Sequence, residues 1–235
     1  MRVLNMGAGV QTTAILLEFW KRYDYVIFAD TGDEKKSTYE YIENYLKPFC
    51  KSKNLEWITV KSHKGTLMEH CMKEKIIPIK MRRWCTQDFK VRPIQKKLKE
   101  LGATAKNPII SDIGISFDES HRANFTNDRK FQVMEYPLLD YKLTRKDCYD
   151  IILKHNFPLP EKSGCDFCMF QKRSELRKLA LNDPERFEKI VKMEKNSYDY
   201  PKRPLVGSFV LDGILNSNTL DEYMEESCDS GHCMV

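Results

Sequence analysis

Blocks of apolar and polar residues alternate along the first half of the chain, and their lengths are those of strands and helices. Apolar runs at residues 1–7 and 25–30 predict buried strands, and helical spacing follows each of them. Two more strand patterns lie at 55–62 and 107–116, with a helical pattern before the second. This alternation predicts an α/β fold in which helices cover a parallel sheet.

The pattern changes after Tyr136. Residues 144–156 and 174–196 have helical spacing, and the loop between them contains prolines and a glycine. We therefore predict an α/β domain over residues 1–140. We expect residues 141–235 to form a helical C-terminal region, bearing two cysteine pairs and packed on the first domain. Earlier in the chain, Ser37 is predicted to be the N-cap of a helix.

Composition indicates a soluble globular protein, because 41% of the 235 residues are hydrophobic and 31% are charged. The longest apolar runs are strand-sized, so we expect no membrane span, and the N-terminal segment lacks the pattern of a signal peptide. We therefore expect a cytoplasmic location, where cysteines are thiols or metal ligands rather than disulfides. The net charge of +5 suits an anionic nucleotide but does not by itself indicate nucleic-acid binding.

Polar residues follow three of the predicted strands. Gly7 and Gly9 form a turn that opens a helix, whose unpaired N–H groups attract an anion. Asp30 and Thr31 end the second strand, and the fourth ends in residues 114–123. Because ligands bind beyond the carboxyl ends of parallel strands, these positions predict a nucleotide site, although Asp30 could simply cap its turn. A basic segment, 82–92, offers further anion contacts, with Arg83 and Lys90 among them.

Two short-spaced cysteine pairs suggest a metal centre. Cys165 and Cys168 have metal-ligand spacing, and Cys228 and Cys233 lie near the end of the chain. Thiolates hold either zinc or an iron–sulfur cluster, so the residue type leaves both open. A zinc site of these four cysteines would be purely structural.

The chain contains, in order, the segments "GAGVQTT", "ADTGDEKKSTYEYI", "RRWCTQDFKVRPI", "GISFDESHR", "YPLLD" and "SGCDFCMF". In this order they resemble phosphoadenylyl-sulfate (PAPS) reductase-like proteins of the adenine nucleotide α-hydrolase superfamily. The resemblance covers nearly the whole chain and implies a Rossmann-like sheet with an adenine nucleotide across its strand ends. Its implied nucleotide-binding residues are Gly7, Gly9, Gln11, Thr12, Thr13, Asp30, Thr31, Gly32, Arg83, Lys90, Gly114, Asp118, Ser120 and Arg122.

The same resemblance bears on the metal. The context of Cys165 and Cys168 is similar to that of reductases and thiolation enzymes that carry a [4Fe–4S] cluster, and Cys85 aligns with their upstream ligand. We favour this cluster over zinc because Cys85 then has a role. Cys228 is then the expected fourth ligand and Cys233 the expected catalytic thiol, although the two could be exchanged.

Three functions follow as hypotheses. The first is a reductase-like enzyme of sulfur metabolism, in which a thiolate attacks an adenylyl sulfate and a thioredoxin-like reductant releases sulfite. Gln11 favours it, because the acidic residue of pyrophosphate-releasing relatives is absent there. The second is an ATP-dependent iron–sulfur sulfurtransferase that takes sulfur from a donor and thiolates tRNA or DNA. The third is a non-catalytic, zinc-stapled module that binds nucleotides or nucleic acid.

Overall fold

A computed structural model of the chain describes residues 1–123, 129–206 and 211–214. At the centre of these residues lies a five-stranded parallel sheet with the spatial order β3-β2-β1-β4-β5. The predicted α/β fold, a Rossmann-like parallel sheet flanked by helices, is confirmed. The strands are β1 (Arg2–Met6), β2 (Tyr25–Asp30), β3 (Glu56–Lys61), β4 (Ile109–Asp112) and β5 (Gln132–Glu135).

Helices cover both faces of the sheet and form most of the C-terminal region. They are α1 (Val10–Phe19), α2 (Lys36–Tyr41), α3 (Lys47–Ser52), α4 (Leu67–Glu74), α5 (Trp84–Thr86), α6 (Arg92–Glu100), α7 (Pro137–Asp140), α8 (Arg145–Lys154), α9 (Arg173–Asn182) and α10 (Pro184–Lys195). One π-helical turn joins α2 to α3, and another, Gln87–Val91, joins α5 to α6. Within the part of the chain described here, no helix is long and apolar enough to span a membrane.

The element boundaries follow local chemistry, with two departures from the sequence-based prediction. Thr66 and Thr144 each cap a helix through a reciprocal capping box. Ser37 does not cap α2, which already begins at Lys36. The helical pattern at 174–196 is divided into α9 and α10 because Pro184 cannot continue the hydrogen-bond ladder of α9.

The C-terminal helices pack directly on the sheet domain. Helix α8 lies against α1, and its Cys148 and Ile152 are fully buried in the same core as Leu16. Helix α10 packs on α9 and α4. The boundary at residue 140 stays a prediction.

The loop that contains the first cysteine pair is fixed to the loop that follows β2. The Lys35 backbone N–H donates to the Gly164 carbonyl at 2.9 Å, and the Asp166 N–H donates to the Asp33 carbonyl at 3.0 Å. Arg186 of α10 spans both loops, at 2.7 Å from Asp33 and 3.0 Å from Asp166. We call this double-loop contact the clamp. It brings the cysteine pair to the carboxyl edge of the sheet.

Glu175 of α9 reinforces the clamp. Its carboxylate accepts hydrogen bonds from Lys35 at 2.7 Å and from Lys162 at 3.0 Å. Burial alone would raise the pKa of Glu175, but the hydrogen bonds and charges of these lysines, with the Lys172 N–H, outweigh burial and lower the pKa to about 2. The Glu175 carboxylate is therefore ionised at neutral pH.

The loops after β1 and β4 meet at the point where the strand order reverses, which is where open α/β sheets bind ligands. Gly114 follows β4 and lies against the start of α1. A Cβ atom at residue 114 would stand 2.7 Å from Thr12 Cγ2 and 3.1 Å from the Thr12 backbone nitrogen. Only a residue without a side chain allows this approach.

Substituting Gly114→Ala should destabilise the fold by about 1–3 kcal/mol, because the loop at Thr12 must shift to accommodate the methyl group. Urea denaturation measures the change. Gly213→Ala is the matched control, since none of the described residues lies within 4 Å of a Cβ built there. Equal stabilities of the two variants would contradict the tight approach.

Substituting Glu175→Gln should lower stability at neutral pH, because the amide cannot replace the carboxylate between the two lysines. A carboxylate whose pKa is lowered on folding stabilises the fold at pH values above its ordinary pKa of 4.5. This contribution is lost as the pH falls towards 2. The difference in free energy of unfolding between wild type and variant should therefore become smaller as the pH falls from neutral towards 2. Urea unfolding at several pH values checks it, and a gap that does not change with pH would contradict the lysine contacts.

Candidate functional site

Three cysteines from two distant parts of the chain line one small cavity above the end of β2. Cys85 comes from α5, and Cys165 and Cys168 come from the clamped loop. The cavity, called the thiol cavity below, has a volume of about 20 Å³, comparable to the space that one water molecule needs. It is lined by Thr31, Leu67, Pro78, Cys85, Thr86, Lys90, Cys165, Phe167, Cys168 and Met169.

A buried carboxylate lies beside the thiol cavity. Glu34, only 3% exposed, forms an isolated bridge with Cys165 through the backbone. Its Oε1 lies 3.0 Å from Lys90 Nζ, 3.2 Å from Thr31 Oγ1 and 3.8 Å from Cys165 Sγ. Thr31 Oγ1 is itself 3.3 Å from Cys165 Sγ. Two of the predicted site residues, Thr31 and Lys90, thus meet at this thiol.

Glu34 is a residue that the sequence pattern did not identify, because it follows β2 in a polar segment together with Asp33. Both are buried in the structure, because each has a cationic partner: Lys90 for Glu34 and Arg186 for Asp33. Both carboxylates lie in the loop that follows β2, at the carboxyl edge of the sheet. Only the fold shows this burial, because Arg186 lies in α10, 153 residues further along the chain than Asp33.

The other three cysteines of the described part are packing residues. Cys50 and Cys148 belong to the core around α1, and Cys71 belongs to the core beneath the cysteine loop. Burial raises the pKa of Cys50 and of Cys148 to about 12, and it also raises the pKa of Cys71. Thiols with such pKa values are almost fully protonated at neutral pH and are poor nucleophiles.

The thiol cavity fits a thiophilic metal centre by donor type, because three thiols face it. It does not fit a cluster as it stands. Within residues 1–123, 129–206 and 211–214, no three Cys, His, Asp or Glu side chains are grouped to hold a metal ion. An iron–sulfur cluster is also larger than the volume of the cavity, so its side chains would have to move apart. The predicted fourth ligand, Cys228, and the predicted catalytic thiol, Cys233, lie outside the described residues.

The glycine turn after β1 is built differently from the prediction. The left-handed position is Ala8, with φ of 55°, rather than Gly7 or Gly9. Thr12 Oγ1 donates to the Gly9 carbonyl and accepts from the Gly7 N–H, each at 3.3 Å, so this hydroxyl closes the turn. Thr13 is fully buried.

Gln11 links the turns that follow β1 and β4. Its side-chain Nε2 donates to Glu119 Oε2 at 3.2 Å, and the same carboxylate pairs with Arg122. Both Gln11 and Glu119 are buried. A buried carboxylate therefore stands beside Gln11. Sequence spacing gave no indication of it.

The turn after β2 is held by its own side chains. Asp30 Oδ1 accepts from the Gly32 N–H at 2.8 Å and from the Tyr39 hydroxyl at 2.7 Å, so Asp30 caps the turn. Burial would raise the pKa of Asp30, but these bonds and Lys61 outweigh it and lower the pKa. Gly32 has φ of 78°, and a Cβ there would lie 2.6 Å from Thr66 Cγ2.

The remaining predicted nucleotide-binding residues lie in different places. Asp118 accepts a hydrogen bond from the Arg145 N–H at 3.0 Å at the start of α8. Ser120 is exposed on the short 3-10 helix Phe117–Arg122. Arg83 and Arg122, in contrast, line the same pocket.

This arginine pocket lies at the carboxyl ends of β4 and β5 and has a volume of about 280 Å³. A third guanidinium, from Arg129, was not predicted. Thr86 lines both this pocket and the thiol cavity, so the two adjoin. The pocket is lined by Arg83, Thr86, Gln87, Val91, Ile113, Ile115, Arg122, Arg129, Met134 and Tyr136.

No protein-family model matches the chain. The uncharacterized protein MJ0973 of Methanocaldococcus jannaschii is 29% identical over 185 residues, which are 74% of this chain and 42% of that protein. A second uncharacterized protein of the same organism, MJ0066, is 24% identical over 181 residues, or 70% of this chain and 34% of its own length. The chain therefore spans less than half the length of either relative.

Among solved structures, the chain is similar to the PAPS reductase of Candida auris in its phosphate complex. The TM-score is 0.50 at 16% sequence identity, covering 68% of this chain and 75% of that one. At this identity the similarity shows the fold and not the reaction. The chain thus has the fold of a PAPS reductase, with thiols and guanidinium groups gathered at the carboxyl edge of its sheet.

Proposed function

We propose that the protein is an adenine-nucleotide-dependent enzyme of sulfur metabolism whose reaction resembles that of PAPS and adenylyl-sulfate reductases. One observation carries the proposal: Cys85, Cys165 and Cys168 line one cavity together with Thr31, the residue that follows β2 at the ligand-binding edge. Similarity in fold to a PAPS reductase supports an adenine nucleotide as the partner of these thiols.

In the proposed reaction, a thiolate attacks the sulfur of an adenylyl sulfate. A sulfur–sulfur bond forms, the bond between that sulfur and the bridging oxygen breaks, and the nucleotide leaves with the electron pair. The enzyme is left as a thiosulfonate, R–S–SO₃⁻. A dithiol of the thioredoxin type then reduces it, so that sulfite and the enzyme thiol are released and the dithiol becomes a disulfide. We assign the attacking thiol to Cys233.

Side chains around the thiol cavity would bind and orient the substrate for this step. Lys90 places a positive charge at the thiol cavity and would attract the sulfonate of the substrate. Glu34 holds Lys90 in place, and Thr31 contacts both Glu34 and Cys165. Hydrophobic side chains such as Phe167 and Met169 form part of the cavity wall.

An iron–sulfur cluster remains part of the proposal, favoured over zinc. Cys85, Cys165 and Cys168 would hold it with Cys228 as the fourth ligand, and it would supply a redox-active, sulfide-containing centre beside the nucleotide. The reaction above uses no step on this centre.

A second candidate is an ATP-dependent sulfurtransferase that thiolates tRNA or DNA. ATP would adenylylate the target with release of pyrophosphate, and sulfur delivered at the thiol cavity would displace AMP. The contact between Gln11 and Glu119 favours it, because it supplies a carboxylate beside the glycine turn, where Mg²⁺ chemistry needs oxygen ligands.

Substrate assays on anaerobically prepared protein separate these functions. The protein is incubated with adenylyl sulfate or PAPS plus a dithiol reductant, and in parallel with ATP plus tRNA or DNA. We expect sulfite and free nucleotide in the first mixture. Release of AMP and pyrophosphate only in the second would replace our proposal with the sulfurtransferase.

Metal analysis of the same preparation completes the test. Iron with acid-labile sulfide is the expected result. Stoichiometric zinc without turnover in either mixture would contradict both enzymatic proposals and support the non-catalytic, zinc-stapled module.

Substituting Cys85→Ser should lower the iron content of the protein, because the hydroxyl group replaces one of the three thiols that would hold the cluster. Turnover should fall by a factor on the order of a hundred, because the cavity proposed to receive the sulfonate would lose its metal centre. Cys148→Ser is the matched control, since this thiol is buried in the core around α1. Turnover is compared at equal folded fraction, determined by circular dichroism. If Cys85→Ser kept wild-type turnover, the thiol cavity would have no part in the reaction.

A further inference from the structure

A short exposed turn, residues 79–82, stands at the edge of the thiol cavity. Ile79 and Arg82 pair as an isolated antiparallel bridge, and the Arg82 N–H donates to the Ile79 carbonyl at 3.2 Å. Pro78 precedes the turn and Cys85 follows it, and both of these residues line the thiol cavity. We call these four residues the basic turn. The nucleotide-binding residues implied by the resemblance do not include them.

The basic turn carries positive charge that the described part of the chain leaves without an anionic partner. Lys80 and Arg82 are exposed, and neither forms an ion pair with a described carboxylate. The Lys80 ammonium lies 5.8 Å from the centre of the Phe170 ring, so the tip of the turn lies beside the cysteine loop. Glu74 and Asp88, the nearest acidic residues in sequence, pair with other cations. The turn therefore suits a partner with several negative charges.

The end of the chain has the opposite charge. Residues 215–235 contain five acidic residues and no lysine or arginine, whereas the whole chain has a net charge of +5. Four of the five acidic residues lie at 221–226, which we call the acidic segment, and it ends two residues before Cys228. Opposite charges at a protein surface attract over a Debye length of about 10 Å at 0.1 M salt. The acidic segment is thus complementary in charge to the basic turn.

The chain leads to the acidic segment from the core beneath the basic turn. Glu194 of α10, only 1% exposed, accepts 2.8 Å hydrogen bonds from two backbone N–H groups, one of them that of Leu211. Leu211 and Ile214 are buried in the hydrophobic core that contains Cys85. Ile79 of the basic turn packs against the same core. The seven residues from Ile214 to the acidic segment span at most about 25 Å, so this segment begins within reach of the turn.

We propose that the basic turn is the docking site for the acidic segment of the same chain. Lys80 and Arg82 hold the acidic side chains, so that Cys228 and Cys233 follow the docked segment at the edge of the thiol cavity. This inference rests on the proposed function, in which both tail cysteines act at this cavity, and it adds the surface that delivers them. Ion pairs on an exposed surface are individually weak, so the docking is reversible and depends on ionic strength.

Zero-length cross-linking of the full-length protein with a water-soluble carbodiimide tests the inference. This reagent joins a lysine amine to a carboxylate that is in direct contact with it, and mass spectrometry of the digested protein identifies the pair. We expect Lys80 to be joined to acidic side chains at 221–226. Raising the salt concentration from about 0.05 M to about 0.5 M should lower the yield of this product about threefold or more, because screening weakens the attraction.

Arg82→Glu reverses one charge of the basic turn and leaves Lys80 able to react. The yield of the Lys80 product should fall about fivefold or more, because repulsion replaces an ion pair. Lys106→Glu is the matched control, since it changes the net charge equally at an exposed position before β4, at the opposite edge of the sheet. This control should give the wild-type yield. Circular dichroism confirms folding of both variants, and the salt series needs only wild type.

Two results would overturn the inference: no product joining Lys80 to the acidic segment, or equal yields in wild type and Arg82→Glu. If in that case the protein bound tRNA or DNA with an affinity that Arg82→Glu lowered, a nucleic acid would be the partner of the turn instead of the acidic segment.

The failure of this inference is distinguishable from the failure of the proposed function, because cross-linking requires no substrate. Release of sulfite from adenylyl sulfate without the Lys80 product would keep the proposed function and overturn the docking site. The Lys80 product in a protein that turned over no adenylyl sulfate would support the docking site and overturn the proposed function.

Discussion

The clamp between the loop after β2 and the loop of the first cysteine pair is the contact on which the candidate site depends. Two backbone hydrogen bonds join residues 33–35 to residues 164–166, and Arg186 forms ion pairs with both Asp33 and Asp166, which the contact brings together. Breaking such a pair leaves a buried charge without compensation, which is strongly destabilising. The clamp therefore fixes the cysteine loop at the carboxyl edge of the sheet, where open α/β sheets bind ligands.

This constraint creates two distinct chemical environments along one edge of the sheet. Above β2, thiols adjoin the Glu34–Lys90 pair in a small and mostly apolar cavity. Above β4 and β5, guanidinium groups surround a larger pocket with an apolar floor. The segment around Thr86 separates the two and contacts both. A ligand with a nucleoside phosphate at one end and a reactive sulfur group at the other matches this arrangement.

The alternation of apolar runs and helical spacing was sufficient to predict the sheet, its parallel strands and the helices around it. It missed β5, because four residues with two apolar side chains give too short a pattern. It also missed Glu34, Glu119 and Arg129. Each of these residues takes its role from a partner that only the fold brings close: Lys90, Gln11 and Gln95. Cys85, Cys165 and Cys168, by contrast, line one cavity, and their role as metal ligands stays a prediction.

A crystal structure of the protein with bound adenosine 5′-phosphosulfate is the most direct measurement of whether nucleotide and thiols share one site. We predict that the sulfonate faces the thiol cavity, which Thr31, Cys85 and Cys168 line. A nucleotide bound on another face of the molecule, or bound at the sheet edge with its sulfonate directed away from these thiols, would contradict it.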